Sequence, residues 1–287
     1  MSIEQPKVSV LMPVYNTKEE YLREAIESIL NQTFTDFEFI IFNDGSTNNA
    51  KEVILSYNDS RIKYYEHENQ GIAKTTNKMF KIAKGQYIAL MDSDDIQYSN
   101  RLQIQTNFLD NNLNIDIISS SYDSIPQGYE YCSIQREIKY LDMIKANQIP
   151  NISAMFRIEI IKKFNLYYDE TMDISQDYEF WSRAIKHSKC VILPQSLCQY
   201  RILQNSNSHA NINRLQMYDK IIQQKMLNFL TNDNELQQHI CNLIFQNSDK
   251  KKLKYNLQEH IFSVKNSSDK KHKIITILGI KIKLKRR

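Results

Sequence analysis

The chain has 287 residues, 41% of them hydrophobic and 24% charged, a balance that is typical of a globular protein with a buried core and excludes a disordered chain. No apolar run approaches the roughly 18–20 residues of a membrane span, the first residues lack the apolar core of a secretory signal, and the four cysteines form no Cys-x-x-Cys pair. We therefore expect a cytoplasmic protein without a zinc site. The net charge of +4 is uneven, because residues 270–287 carry eight Lys or Arg and no acid, which leaves the remaining 269 residues at −4.

The first third of the chain alternates strands and helices. Short apolar runs followed by polar residues predict four strands, at 7–14, 37–42, 62–65 and 87–91. Apolar residues at helical spacing predict three helices between them, at 17–31, 50–57 and 71–84. Thr17 and Glu20 have the spacing of a capping box, and Gly85 stands where a C-terminal cap is expected. The alternation predicts an α/β fold with a mostly parallel, Rossmann-like sheet flanked by helices.

The fourth predicted strand ends at three acids, Asp92, Asp94 and Asp95. Three like charges at the end of a buried strand are costly unless a cation lies among them. Hard cations such as Mn²⁺ and Mg²⁺ prefer oxygen ligands, and ligands of open α/β sheets bind beyond the carboxyl ends of the strands. The pattern indicates a divalent metal site. The alternative is a solvated acidic turn.

Polar residues also follow the first two strands. Tyr15 and Asn16 come after the first, and Asp44 comes after the second. An acid after the second strand of such a sheet commonly accepts a hydrogen bond from a ribose or base. The chain has only five glycines, with no Gly-x-Gly-x-x-Gly and no Walker loop, which argues against a glycine-cradled phosphate. A bound diphosphate would then need a metal on the aspartates to neutralise it.

Four motifs occur in the order seen in family 2 glycosyltransferases: Val-Ser-Val-Leu-Met-Pro-Val-Tyr-Asn (8–16), Phe-Asn-Asp-Gly-Ser (42–46), Asn-Gln-Gly-Ile-Ala (69–73) and Met-Asp-Ser-Asp-Asp (91–95). The resemblance is clear over residues 7 to about 120 and more diffuse to about 202. It implies a GT-A fold that inverts configuration at the transferred sugar, with Asp94 holding Mn²⁺ or Mg²⁺. It also implies that a UDP-sugar donor contacts Pro13, Val14, Tyr15, Asn16, Asp44, Asn77, Asp92 and Ser93. Thr76 departs from the family, many members of which carry an Arg there.

Two further motifs lie in the second half of this resemblance. Asp177 opens a predicted helix, where an acid is favoured by the helix dipole alone. The family usually has Glu-Asp at this place, so the resemblance implies that Asp177 is the general base for the acceptor hydroxyl, with Glu179 as the fallback. Arg201, after a predicted strand at 191–193, is expected to pair with donor phosphate. Leu203 replaces the family's usual His.

The rest of the chain is predicted from shorter patterns. Strands are expected at 116–121 and 152–156, and helices from 101, at 140–146, at 159–164, at 211–230 and at 236–245. We divide the chain into a GT-A domain (1–205), with a nucleotide-sugar half (1–120) and an acceptor half (121–205), then a helical extension (206–269) and a basic tail (270–287).

The basic tail alternates apolar and charged residues from Ile280 to Lys285, which predicts a strand or hairpin. Its charge predicts an anionic partner, and we expect the inner face of the cell membrane, where a lipid-linked acceptor would be. An edge strand with its lysines in water is the alternative. Nucleic acid is disfavoured because the rest of the chain is acidic and lacks an aromatic platform.

The sequence therefore predicts a metal-dependent inverting glycosyltransferase that moves a hexose or N-acetylhexosamine from a UDP-sugar to a bacterial surface or lipid-linked glycan. Similar basic, apolar endings occur on surface-polysaccharide and lipooligosaccharide glycosyltransferases. A nucleotidyltransferase that makes a sugar nucleotide is the alternative enzyme, although residues 15–20 lack its Gly-rich basic loop. A membrane-docked sugar-nucleotide binder without activity is the third hypothesis, favoured if Asp177 points away from the aspartates.

Overall fold

The computed structural model describes residues 5–126, 130–131, 134–203, 211–246, 262–266, 272–277 and 280–285. The chain divides into two compact units, Met1–Gln237 and Gln238–Arg287. The strands are β1 (Val8–Val14), β2 (Phe37–Asn43), β3 (Ile62–Glu66), β4 (Tyr87–Leu90), β5 (Ile96–Gln97), β6 (Ile117–Ile125), β7 (Glu130–Tyr131), β8 (Arg136–Ile138), β9 (Met155–Arg157), β10 (Cys190–Arg201), β11 (Phe262–Asn266), β12 (His272–Ile277) and β13 (Ile280–Lys285). The helices are α1 (Glu19–Leu30), α2 (Ala50–Leu55), α3 (Ile72–Ile82), α4 (Arg101–Asn111), α5 (Tyr140–Lys145), α6 (Glu159–Phe164), α7 (Gln176–Ala184), α8 (Ile212–Leu230) and α9 (Asn234–Gln246).

The first unit is built on one sheet with the strand order β3-β2-β1-β4-β9-β6-β10-β5. The first four of these strands run parallel, with three of the helices connecting them. β6 and β10 form a second parallel pair, and β9 lies antiparallel between β4 and β6. The predicted α/β fold with a mostly parallel sheet is thus confirmed.

The core forms where these strands meet the helices. β1 is buried along almost its whole length, and all seven residues of β2 are buried, as expected for strands covered on both faces. α1 places Leu22, Ala25, Ile26 and Ile29 in the core, at the three- and four-residue spacing of a single helix face. The register pairs Val14 with Asn43, which brings the carboxyl ends of β1 and β2 to the same level.

Two local predictions are wrong. Thr17 does not cap α1, because no side chain caps that helix and the Thr17 hydroxyl instead lies 2.6 Å from Ser93 Oγ. Gly85 does not end α3, whose cap residue is Ala83 in an extended conformation. A Cβ on Gly85 would lie 2.4 Å from the Ser9 backbone nitrogen, so this glycine is needed because the chain passes close against β1.

The predicted strand at 152–156 is replaced by a short 3₁₀ turn, Asn151–Ser153, followed by β9. The turn brings Ser153 Oγ within 2.8 Å of Ser119 Oγ on β6. The chain therefore enters β9 already attached to the second half of the sheet.

The second unit contains an antiparallel sheet with the order β11-β12-β13. β12 and β13 pair from Ile277–Ile280 to His272–Lys285, which confirms the strand or hairpin predicted for the tail. β11 was not predicted. None of the helices in the described part of the chain is long and apolar enough to cross a membrane.

Candidate functional site

A cleft of about 960 Å³ opens above the carboxyl ends of β1, β2 and β4. Its lining includes Pro13 and Val14 at the end of β1, Tyr15 directly after it, Asp44 after β2, and Asp92, Ser93 and Asp94 after β4. The opposite wall comes from the segment before α7, the start of α7 and one face of α8. Six of the predicted donor residues, the predicted metal ligand Asp94 and the predicted base Asp177 thus share one cleft. Of the described residues, no lysine or arginine is part of its lining.

Asp44 is held firmly at one end of the cleft. It is 3% exposed, and its carboxylate accepts hydrogen bonds from the backbone nitrogens of Gln70 (2.8 Å) and Gly71 (3.0 Å). The imidazole of His67 lies 3.0 Å from Asp44 Oδ1. A carboxylate offers about four acceptor positions, so this one is oriented by the protein before any ligand arrives.

Tyr15 lines the cleft together with Asp44. In contrast to Asp44 it is exposed, with 53% of its surface accessible. The next residue, Asn16, has a φ of 52°, a conformation that Asn tolerates better than most residues. Its side-chain oxygen accepts a hydrogen bond from the Thr47 backbone nitrogen (2.8 Å). Asn16 therefore joins the loops after β1 and β2, and it does so without being part of the cleft lining.

The three acids after β4 have raised pKa values. Burial, with the nearby charges of Asp94 and Asp177, raises the pKa of Asp92 to about 7. Burial also raises the pKa of Asp94, and burial together with Asp92 and Asp94 raises that of Asp95. Within the described residues Asp95 Oδ2 has no hydrogen-bond partner. The cleft lining that the structure describes includes no basic side chain to balance these acids. Arg201, which is not part of that lining, lowers the pKa values of Asp94 and Asp95 but does not cancel the effect of burial.

The donor set around this loop fits a divalent ion, although no three His, Cys, Asp or Glu side chains of the described residues converge as a complete site. Mg²⁺ commonly binds through one or two carboxylates together with substrate phosphates. Asp92 and Asp94 both line the cleft, and a cation beside them would offset the burial that raises both pKa values and the acidic neighbours that raise that of Asp92 further. Two carboxylates and a diphosphate would complete such a site.

Asp177 lies at the second position of α7, on the wall facing the acidic loop. It lines both the cleft and a smaller adjoining pocket, and Asp92 lines both with it. Asn147 donates a hydrogen bond from Nδ2 to Asp177 Oδ2 at 2.9 Å, which fixes the carboxylate. Burial raises the pKa of Asp177, and the charge of Asp219 raises it further. Hydrogen bonds from the backbone amides at the helix start lower it, but by less than burial raises it. Asp177 thus shares the cleft with the aspartates, and its charge raises the pKa of Asp92.

Glu179, the fallback base, is used elsewhere. It is 5% exposed, and both of its oxygens pair with Arg183 at 2.7 Å. It is absent from the described cleft lining. The neighbouring Gln176 does line the cleft, and its buried Oε1 has no hydrogen-bond partner among the described residues.

Two predicted donor residues lie behind the cleft. Arg201 donates from Nε to the Asp94 carbonyl (2.7 Å), pairs with Glu24 and stacks 4.1 Å from the Tyr21 ring centroid. Asn77 is 3% exposed and donates to the Tyr168 carbonyl (2.9 Å) and to Glu170 Oε1 (3.0 Å). Both side chains hold loops that line the cleft, and neither is part of the lining itself.

His67, Asn147 and Asp219 contact residues of the site and were not predicted from the sequence. Asp219 lies in α8, which the sequence pattern suggested only as a packing helix, yet it lines the cleft and accepts a hydrogen bond from Ser175 Oγ at 2.8 Å. Asn147 belongs to a stretch without a regular period. The one sequence signal for Asp219 is that it is an acid among the apolar residues of the helix predicted at 211–230.

The chain matches the family model of glycosyl transferase family 2 over residues 9–177. It is 38% identical over 232 residues to an uncharacterized glycosyltransferase of Methanocaldococcus jannaschii, with 75% of this chain and 78% of that protein covered. It is 29% identical over 227 residues to an uncharacterized glycosyltransferase of Rickettsia typhi, with 75% and 70% covered.

Solved structures share the fold. TarS of S. aureus (residues 1–349) in complex with UDP superposes with a TM-score of 0.66 at 19% identity, covering 86% of this chain and 76% of that one. Its complex with UDP-GlcNAc gives a TM-score of 0.67 at 19% identity, with 84% and 71% covered. The mannosyltransferase PcManGT of Pyrobaculum calidifontis, in complex with GDP-Man and Mn²⁺, gives 0.57 at 16% identity, with 74% and 61% covered.

Proposed function

The chain belongs to glycosyl transferase family 2, and from this premise we propose that it transfers a hexose or N-acetylhexosamine from a UDP-sugar to a hydroxyl group of a surface or lipid-linked glycan, with inversion at the sugar carbon. The observation that carries the proposal is the shared cleft. It has an oriented carboxylate and an exposed aromatic ring at one end, paired acids in the middle, and a fixed carboxylate opposite them. We assign the first of these features to the nucleoside, the paired acids to the diphosphate with its metal, and the fixed carboxylate to the acceptor hydroxyl.

The nucleoside would lie between Tyr15 and Asp44. The exposed ring of Tyr15 offers a face for stacking a base. A base or ribose donor would reach the Asp44 carboxylate by replacing its longest hydrogen bond, which comes from Asn69 Nδ2 at 3.4 Å. UDP and UDP-GlcNAc in the TarS complexes support a uridine nucleotide as the donor of this chain.

Asp177 would accept the proton of the acceptor hydroxyl. The hydroxyl oxygen then forms its bond to the anomeric carbon as the bond from that carbon to the UDP oxygen breaks, and UDP leaves with the electron pair. A raised pKa brings a carboxylate closer to the operating pH, which favours general-base catalysis. Asn147 keeps the carboxylate from turning away during the transfer.

Asp92 and Asp94 would hold Mn²⁺ or Mg²⁺, which when bound neutralises the charge that develops on the leaving diphosphate. Ser93, between them, bonds to Thr17, and Arg201 holds the Asp94 carbonyl. These contacts attach the acidic loop to the segment after β1 and to the end of β10. The Mn²⁺ in the PcManGT complex supports this assignment.

The acceptor would approach from the α7 and α8 side, and the basic tail would hold the enzyme at an anionic membrane surface. Near such a surface each Lys or Arg contributes about 1 kcal/mol, screened by salt. Lipid-linked acceptors are concentrated at that surface. Residues 270–287, with eight basic residues and no acid, supply the charge for reversible docking.

The test is UDP release from a panel of UDP-sugars with Mn²⁺, compared with the same reactions in EDTA. We expect release with one or a few sugars and its loss in EDTA. GDP-sugars serve as the matched nucleotide control. Release only from GDP-sugars would refute the donor assignment, and unchanged release in EDTA would refute the metal.

A further inference from the structure

His67 connects the nucleoside end of the cleft to α3. It directly follows β3, and its side chain is 11% exposed. The edge of its ring packs on Phe42, with centroids 4.6 Å apart. Nε2 lies 3.0 Å from Asp44 Oδ1 and 3.0 Å from Thr75 Oγ1. One imidazole nitrogen thus contacts the carboxylate assigned to the nucleoside.

The other ring nitrogen determines the tautomer. Nδ1 lies 2.7 Å from the ammonium nitrogen of Lys78. An ammonium group can only donate, so Nδ1 accepts and the ring proton resides on Nε2. That proton points to Asp44, with Thr75 as a second acceptor. Lys78 also donates to Gln70 Oε1 at 3.1 Å. The Gln70 backbone nitrogen in turn donates to the Asp44 carboxylate.

Burial and the charge of Lys78 lower the pKa of His67, while Asp44 raises it less strongly. The charged groups that face the imidazole are Asp44 at the end of β2 and Lys78 on α3. Glu66 at the end of β3 directs its carboxylate to Lys51 and Tyr64. The balance favours a neutral ring at pH 7.

We propose that His67 is a positioning residue of the nucleoside site: its neutral imidazole, fixed in one tautomer by Lys78, orients the Asp44 carboxylate, and nucleoside binding weakens when the ring gains a proton. This inference rests on the proposed function. A protonated ring would present Nδ1–H to an ammonium group, so that two donors and two positive charges would oppose each other. Lys78 would have to leave, and the loop through Gln70 would lose one of its attachments to α3.

The test measures uridine binding between pH 5 and 8 by calorimetry or ligand-observed NMR. Uridine has no diphosphate, so the metal and the acids after β4 do not enter the measurement. We expect the wild-type dissociation constant to rise as the pH falls below the ordinary histidine range. His67→Phe should weaken binding about 5- to 10-fold at pH 7.5, since one hydrogen bond to a buried charge is lost. His67→Gln can still donate to Asp44 but cannot titrate, so it should retain most of the affinity and lose the pH dependence.

Lys78→Met separates this role from a structural one. Without the ammonium group a protonated ring meets no opposing charge, and Gln70 has already lost its contact with α3. Uridine binding by this variant should therefore be weaker than wild type at pH 7.5 and should no longer weaken as the pH falls. Lys74→Met, which removes an exposed charge one turn earlier on α3, is the matched control and should keep the wild-type pH profile. Equal pH profiles for wild type and Lys78→Met, or wild-type affinity in His67→Phe, would overturn the inference. Absence of uridine binding to the wild type at pH 7.5 would overturn the nucleoside site itself, and this inference with it.

Discussion

Asp177 shows how a single side chain acquires its chemistry from its surroundings. The residue is placed at a helix start, where backbone amides favour its charged form, yet its burial beside other acids favours the protonated form. The raised pKa shows that burial prevails. A carboxylate in this situation is a stronger proton acceptor than one in water, and Asn147 determines which way it points.

Asp177→Asn should reduce turnover about 10²- to 10⁴-fold, because the amide fills the same space and cannot accept the proton. UDP binding should persist, since the proposed nucleoside site lies at the other end of the cleft. Initial rates of UDP release and UDP titrations check the two halves of this prediction. Glu179→Gln is the matched control on the same helix, and it should retain turnover. A large loss in the control with the fold intact would transfer the role of base to Glu179.

Asp94→Asn tests the metal at the residue scale. The substitution removes one charge from the loop without removing volume, so we expect the protein to fold and Mn²⁺-dependent UDP binding to be lost. Titration of UDP with and without Mn²⁺ measures this directly. Tight UDP binding by the variant only in the presence of Mn²⁺ would count against Asp94 as the ligand.

At the scale of elements, the loop after β4 links pH to stability. Between the ordinary Asp pKa of 3.8 and the raised value of about 7, folded Asp92 holds a proton that the unfolded chain has released. The folded state therefore binds more protons in this window, and its free energy of unfolding falls as the pH rises. Asp94 and Asp95 act in the same direction.

We therefore expect the metal-free protein to melt at a lower temperature at pH 7.5 than at pH 5. Asp92→Asn should reduce that difference, whereas Asp36→Asn, an exposed acid outside the cleft, should not. Mn²⁺ added at pH 7.5 should raise the melting temperature of the wild type. Thermal unfolding in EDTA and in Mn²⁺ checks all three, and a melting temperature that increases from pH 5 to 7.5 in EDTA would refute the account.

α8 extends the site beyond the segment that the family model matches. It brings Asp219 to Ser175, next to the start of α7, and the charge of Asp219 raises the pKa of Asp177. Asp219→Asn should consequently shift the acid limb of the kcat/KM profile to lower pH. Glu235→Gln, an exposed acid of α9, should not shift it. An unmoved acid limb in Asp219→Asn would mean that the two carboxylates do not influence each other.

The elements predicted from the sequence are those with strong local patterns. The strands around Val10 and Ile40 are mostly apolar, and the acids after β4 stand out from their apolar run, so the first four strands and several residues of the cleft lining could be predicted. The roles of Thr17 and Gly85 were predicted wrongly, because each depends on a residue distant in the chain. Thr17 contacts Ser93, and Gly85 packs against Ser9. Asp219 enters the site only through tertiary packing.

At the scale of the whole molecule, the charge of the tail can be tested on the full chain. A chain ending at Asp269 would leave β11 without β12, its only neighbour in the described sheet, so truncation would disturb the second unit as well as its charge. Changing Lys281, Lys283 and Lys285 to Gln avoids this. We expect weaker binding to anionic vesicles and unchanged UDP release with a soluble acceptor. Vesicle co-sedimentation at two salt concentrations measures the first, and equal binding by both proteins would eliminate the docking proposal.

The antiparallel β9, which separates the two parallel parts of the sheet, also sets an order of events during synthesis. Strands β1 to β4 and their helices can pair as soon as the first 90 or so residues are free of the ribosome, whereas β9 joins β4 only after a further 60 or so. Asp177 is made 85 residues after Asp92, and at about 5–20 residues per second this takes several seconds. The nascent chain should therefore form the end of the cleft that carries Tyr15 and Asp44 well before Asp177 is made. If this end binds uridine as proposed, a uridine nucleotide would stabilise the unfinished protein while the rest is still being translated.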